Sequence, residues 1–218
     1  MGKTDYRRKA VLVVECDSAK LAQQNLALGE QLCSLIKQAF PLNPVDLVQS
    51  DTEAGLLEKV RELHEKGRPY RSIIVVGHSN QDGLMISSDR FIGWGGVANW
   101  FKSFDPHRII LIACNAGRWL PCTALFSGMP TLKEIFGSPA PAHKDQAFAV
   151  LFIVLHILGA QKADADTLRL IQAGNFLLTK GLMLRRSRRE YEESGVVEGL
   201  VWGLTDSVLN QLAERLRR

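Results

Sequence analysis

The sequence predicts an α/β fold, a mainly parallel central sheet flanked by helices and followed by a helical C-terminal part. Three observations predict it. Short apolar runs rich in β-branched residues recur at 10–14, 45–48, 72–77 and 108–113; the segments between the first three repeat apolar residues at helical spacing; and the chain from 145 onward is mainly helical in pattern. With 218 residues, 46% apolar and 23% charged, the composition is that of an ordinary globular protein with a sizeable core, which excludes disordered, collagen-like and disulfide-dense classes. One domain over 1–218 is expected, with its core at about 8–141 and its helical part at about 142–218.

Ala10-Val-Leu-Val-Val14 opens the order as a strand buried on both faces. Leu28, Leu32, Leu35, Ile36 and Ala39 then mark a helix that Pro41 and Pro44 stop. A strand at 45–48 and a helix carrying Leu56, Leu57, Val60 and Leu63 lead through Gly67 and Pro69 to a third strand, Ser72-Ile-Ile-Val-Val-Gly77. This βαβαβ start is the pattern of parallel strands joined by crossover helices. Gln81-Asp82-Gly83 is a turn signal that predicts a small hairpin next. Trp94, Val97, Trp100, Phe101 and Phe104 then form an amphipathic helix closed by Asp105-Pro106, ahead of a fourth buried strand, Arg108-Ile-Ile-Leu-Ile-Ala113. Residues 119–141 read as loop with a short strand at 132–136, and 145–159, 166–193 and 196–216 read as helices.

The formal charge of +4, from 27 basic against 23 acidic residues, is too small an excess to indicate a nucleic-acid binder. Cys16, Cys33, Cys114 and Cys122 show no C-x-x-C spacing, so neither a zinc knuckle nor a disulfide framework is suggested; free thiols fit, and no metal or other cofactor is expected. The apolar run after Arg7-Arg-Lys9 is too short for a signal peptide, and Tyr6 stands where a myristoylation signal has Ser or Thr. The longest apolar stretch, 147–158, falls short of the roughly 20 residues that cross a bilayer. A cytoplasmic protein without membrane insertion is expected.

In an open parallel sheet, reactive groups gather beyond the carboxyl ends of the strands. His78 follows the third strand and Cys114 the fourth, so the two meet if those strands are neighbours. A thiolate formed with an imidazole at hand can attack an acyl carbon. Gly77, Gly83 and Gly117 are expected to leave room for a substrate backbone.

The segments Ser72-Ile-Ile-Val-Val-Gly-His78-Ser-Asn-Gln-Asp-Gly83 and Ile109-Ile-Leu-Ile-Ala-Cys114-Asn-Ala-Gly117, in this order, resemble the caspase-like (clan CD) cysteine peptidases in their bacterial CHAT-type branch. The resemblance covers about 8–141 and implies a caspase-like three-layer sandwich. It implies a cysteine endopeptidase in which His78 is the general base and Cys114 the nucleophile that forms an acyl-enzyme, with the backbone N–H groups of Ser79 and Cys114 holding the oxyanion. The family more often has Gly where Ser79 stands. It also implies an acidic residue near the end of the first strand that binds a basic side chain at the cleavage position. Asp17 matches, with Glu15 and Asp82 as other acidic candidates, and cleavage after Arg or Lys follows as an expectation. Phe136-Gly-Ser-Pro-Ala-Pro141 resembles the end of the strand that walls this pocket. The partners implied are a protein or peptide substrate and a separate activating or regulatory protein, with no nucleic acid.

Other readings stay open. A caspase-like fold can serve as an inactive scaffold, and Cys114, His78 and Asp17 each have a plain structural reading as a packed thiol, a satisfied imidazole and a helix cap. Val75-Val-Gly-His-Ser79-Asn-Gln81 approaches the nucleophile elbow of an α/β-hydrolase, with Asp105 or Asp145 and His107 or His143 as partners of Ser79. That pattern breaks at Gln81, and a turn stands where a helix is required. Arg185-Arg186-Ser-Arg188-Arg189, followed by Glu190, Glu192 and Glu193, could bind an anionic partner, though its spacing reads more simply as a solvated helical face of i, i+4 pairs.

Overall fold

The apolar runs become strands because their β-branched side chains pack on both faces of a sheet. In the computed structural model, which describes residues 10–17, 21, 28–87, 90–138, 147–159, 169, 171–172 and 183–194, β1 is Ala10–Cys16, β2 Val45–Ser50, β3 Tyr70–Val76 and β4 Gly83–Ser87. β5 is Arg90–Gly93, β6 Arg108–Ile112, β7 Glu134–Gly137 and β8 Leu184–Ser187. The helices are α1 (Gly29–Ala39), α2 (Glu53–Glu65), α3 (Trp94–Phe101), α4 (Trp119–Gly128), α5 (Ala147–Gly159) and α6 (Arg188–Ser194).

Six strands form one sheet in the order β2-β1-β3-β6-β7-β8, parallel except for β8, while β4 and β5 form a separate antiparallel hairpin. From β1 the chain turns to β2 on one side and later to β3, β6 and β7 on the other, so the strand order reverses between β1 and β3. Alternate side chains feed two cores. Leu12, Val14, Ile73, Val75 and Leu111 face the layer of α2, α3 and α4; Val11, Val13, Ile74, Val76 and Ile110 face α1 and α5. Leu151 and Val154 of α5 belong to this second core, as the apolar run at 147–158 leads one to expect of a buried helix. No helix among the described residues is long and apolar enough to cross a membrane.

Two sequence readings change here. The stretch 119–141, read as loop with a short strand, does hold β7 but also holds the helix α4. Pro121 lies in the first turn of α4, where a missing N–H costs nothing. The stretch 166–193, read as helix, contains β8, which pairs with β7 through Glu134↔Ser187 and Phe136↔Arg185. Arg185 donates from Nε and Nη2 to Glu134 Oε1, at 3.0 and 2.8 Å, a long-range contact that local pattern does not announce. Arg185 and Arg186 thus lie on a strand, with Arg186 buried, rather than on a solvated helical face. Arg188 and Arg189 open α6 and do form the expected i, i+4 pairs with Glu192 and Glu193. The helix expected at 196–216 lies outside the described residues.

Candidate active site at the carboxyl edge

β3 and β6 are neighbours, paired in register from Ser72↔Arg108 to Val76↔Ile112. The Gly77 N–H donates to the Ile112 carbonyl at 3.3 Å, which carries the pairing past the strand end. His78 and Cys114 each stand two positions beyond the last register pair, Val76↔Ile112, at the carboxyl ends of neighbouring parallel strands. The side chains that precede them at alternate positions, Ile74 and Val76 on one strand and Ile110 and Ile112 on the other, share one face of the sheet. Cys114 is partly exposed, whereas Cys16, Cys33 and Cys122 are buried.

Ser79 joins the two strand ends, its hydroxyl donating to the Cys114 carbonyl. In its main chain Ser79 faces Leu84 across an antiparallel bridge. The bonds that close this bridge come from the flanking residues: Met85 N–H to the His78 carbonyl at 2.8 Å, and Asn80 N–H to the Gly83 carbonyl at 3.0 Å. In such a pair the N–H of the central residue points away from its partner strand, so that of Ser79 is turned from β4 toward the Cys114 side. Asn80 Oδ1 accepts from the N–H groups of Asp82 and Gly83, at 2.8 and 2.9 Å, which shapes the turn into β4.

The loop after Cys114 is held on its far side. Asn115 adopts a left-handed backbone (φ 58°), which Asn tolerates better than most residues. The Gly117 N–H donates to the Ser138 carbonyl at 2.8 Å, and a Cβ on Gly117 would lie 2.2 Å from the Gly137 carbonyl oxygen. The expectation that Gly83 and Gly117 make room for substrate is therefore corrected. A Cβ on Gly83 would lie 2.2 Å from the Ile92 carbonyl oxygen, so the space at both is taken by the fold itself, whereas a Cβ on Gly77 would make ordinary contacts with Cys16 and Leu84 at 3.4 Å. Gly117→Ala should force the Cys114 loop off β7, cutting Cys114 reactivity toward a peptidyl probe at least tenfold and lowering the urea midpoint; unchanged labelling would show that the clamp does not position the loop. The clamp was not read from the sequence, where its signal is a pair of glycines, Gly117 in the loop after β6 and Gly137 at the end of β7.

Sequence comparison adds no relative: the chain matches no family model and no curated protein. The geometry alone carries the reading of the site.

The acidic candidates separate. Asp17 follows β1 with a left-handed backbone (φ 56°), is 4% exposed, and has a buried Oδ2 with no hydrogen-bond partner among the described residues. Its carbonyl accepts from the Leu21 N–H at 3.0 Å, a bond made by the main chain and not by the carboxylate. Glu15 is corrected as a pocket residue: fully buried, its carboxylate accepts from Gly29 N–H at 2.5 Å and Gln49 Nε2 at 3.1 Å, holding the first turn of α1. Asp82 is exposed at the tip of the turn after His78.

The other thiols are poor nucleophiles. Burial, with Glu15 and Asp17 adding to it, pushes the Cys16 thiol up to about 12, and burial pushes Cys33 up to about 11. Cys122 donates its S–H to the Ala116 carbonyl at 3.8 Å. The hydrolase elbow is corrected as well. A hairpin follows Ser79 where the elbow needs a helix, and Asp105 and His107 precede β6, at the opposite edge of the sheet. Asp145 and His143 lie outside the described residues, as do 139–141 of the stretch that resembles the pocket wall.

Proposed function

We propose that the protein is a caspase-like cysteine endopeptidase acting through a His78/Cys114 dyad. The observation that supports the reading is the register of β3 on β6, whose last pair, Val76↔Ile112, lies two positions before His78 on one strand and Cys114 on the other. His78 takes the proton of the Cys114 thiol as Sγ attacks the substrate carbonyl carbon. The resulting oxyanion accepts hydrogen bonds from the N–H groups of Cys114 and Ser79, the latter turned toward it. Collapse breaks the C–N bond while His78 returns the proton to the leaving amine, giving a thioester and a free amine. Water, deprotonated by His78, then attacks the thioester; collapse releases the acid and the Cys114 sulfur, which regains its proton.

Asp17 forms the base of the pocket for an Arg or Lys side chain, since a buried carboxylate oxygen without a donor is satisfied by a cationic one. The free thiols suit a reducing compartment such as the cytoplasm, and a second protein that switches the activity on completes the reading. The test is an acyloxymethyl ketone probe carrying Arg or Lys, with mass spectrometry to locate the adduct. The expected adduct is on Cys114, retained in Ser79→Ala; an adduct on Ser79, or none on folded protein, overturns the reading. Asp17→Asn should lower kcat/KM for cleavage after Arg by about tenfold to a hundredfold, the worth of one charged hydrogen bond. Equal loss with an uncharged residue at that position would remove Asp17 from the pocket.

A further inference from the structure

The hairpin that follows His78 extends the row of the dyad. Met85 donates its N–H to the His78 carbonyl, so it lies directly across from His78, and the β4/β5 register sets Phe91 opposite Met85. His78, Met85 and Phe91 therefore succeed one another across three neighbouring segments, each ~5 Å from the next, and Cys114 follows β6, which borders β3, its carbonyl accepting from the Ser79 hydroxyl. Directly opposed residues project to the same face. The alternate positions Leu84, Ile86 and Ile92 pack into the core on the opposite face. Met85 is left partly exposed and Phe91 46% exposed, on the side where the dyad works. A single exposed Phe needs no explanation, but one in register with a nucleophile and its base is placed where substrate passes.

We infer that Met85 and Phe91 form the specificity surface for the substrate residue that follows the cleaved bond, and that they select a large apolar side chain there. The inference rests on the peptidase reading. His78 must reach the leaving amine to return its proton, so the leaving segment runs past His78 on the side away from Cys114. The next side chains on that side are Met85 and Phe91. Cutting before Leu, Phe or Met buries apolar surface on this shelf, and cutting before Asp or Ser does not.

The test uses the full chain and a proteome-derived peptide library, with mass spectrometry of the new amino termini. Leu, Phe and Met should be enriched about tenfold over Asp and Ser at the first position of those termini. Phe91→Ser and Met85→Gln should each abolish most of this enrichment, and Phe91→Leu should keep it. A chloromethyl ketone carrying Arg has only chloride beyond the reactive carbon, so its labelling of Cys114 should stay within twofold in all three variants, which also reports that they fold. Cutting without apolar enrichment, or enrichment that survives Phe91→Ser, overturns the shelf and leaves the peptidase standing. Neither cutting nor labelling in the wild type overturns both.

Discussion

Cys114→Ala should abolish both adduct formation and peptide cleavage, by at least about a thousandfold, because in the proposed mechanism its sulfur is the atom that bonds to the substrate and no other thiol can replace it. Cys16 and Cys33 are held protonated by burial, and Cys122 is buried against a carbonyl. Cys114 is partly exposed at a loop edge, so the lost packing is worth under about 1 kcal/mol and the melting temperature should fall by no more than about 4 °C. His78→Ala should cost a similar factor, and the double variant little more, since in that mechanism the two groups act in one step. Residual cleavage in Cys114→Ala above one part in a hundred would place the chemistry elsewhere.

Glu134→Ala should carry the largest stability loss, about 3–5 kcal/mol, a large share of the 5–15 kcal/mol that holds a typical domain together. Glu134 is 9% exposed and sits between two guanidinium groups: Arg108 donates to Oε2 at 3.2 and 2.9 Å, and Arg185 to Oε1 at 3.0 and 2.8 Å. Arg108 also donates to the Ile157 carbonyl at 2.5 Å, so the cluster ties β6, β7, β8 and α5 together. Removing the carboxylate leaves the buried Arg108 and the partly buried Arg185 without their shared counter-charge. The check is a urea titration, and a loss below 1 kcal/mol would refute the role. Burial alone would raise the pKa of Glu134, but the hydrogen bond from Arg185, followed by the charge and hydrogen bond of Arg108, outweighs it and holds the group below its ordinary value. The unfolded chain therefore binds this proton at higher pH than the folded one. The contribution is complete above the ordinary carboxylate value, about 4.3, and is lost as the pH falls through the lower folded value. Glu134→Gln should flatten the wild type's acid-side stability slope.

β1, β3 and β6 are legible in the sequence because strands buried on both faces need an unbroken apolar run, which local composition records. α1 is legible from its spacing, Leu32 and Ile36 on one buried face. α4 is not, since its apolar residues follow no clear face and Pro121 suggests a loop. β8 is not, because Leu184-Arg-Arg-Ser187 becomes a strand only through β7 and Glu134. Glu15 looked like a pocket acid, but whether a carboxylate beside a strand end is free or occupied depends on what folds against it, here the amide of Gly29.

The sequence by itself determined the alternation of strand and helix and the residue type just past each strand end, because both are set by nearest neighbours and by burial of local apolar surface. The tertiary structure decided which strands are neighbours and in what register. Pairing β3 with β6 joins residues more than thirty positions apart, and the hydrogen bonds that align them are the same for almost any side chain. For that reason His78 and Cys114 could be named as separate candidates from the chain, while their adjacency, and the row they form with Met85 and Phe91, emerges only when the sheet and its hairpin are assembled.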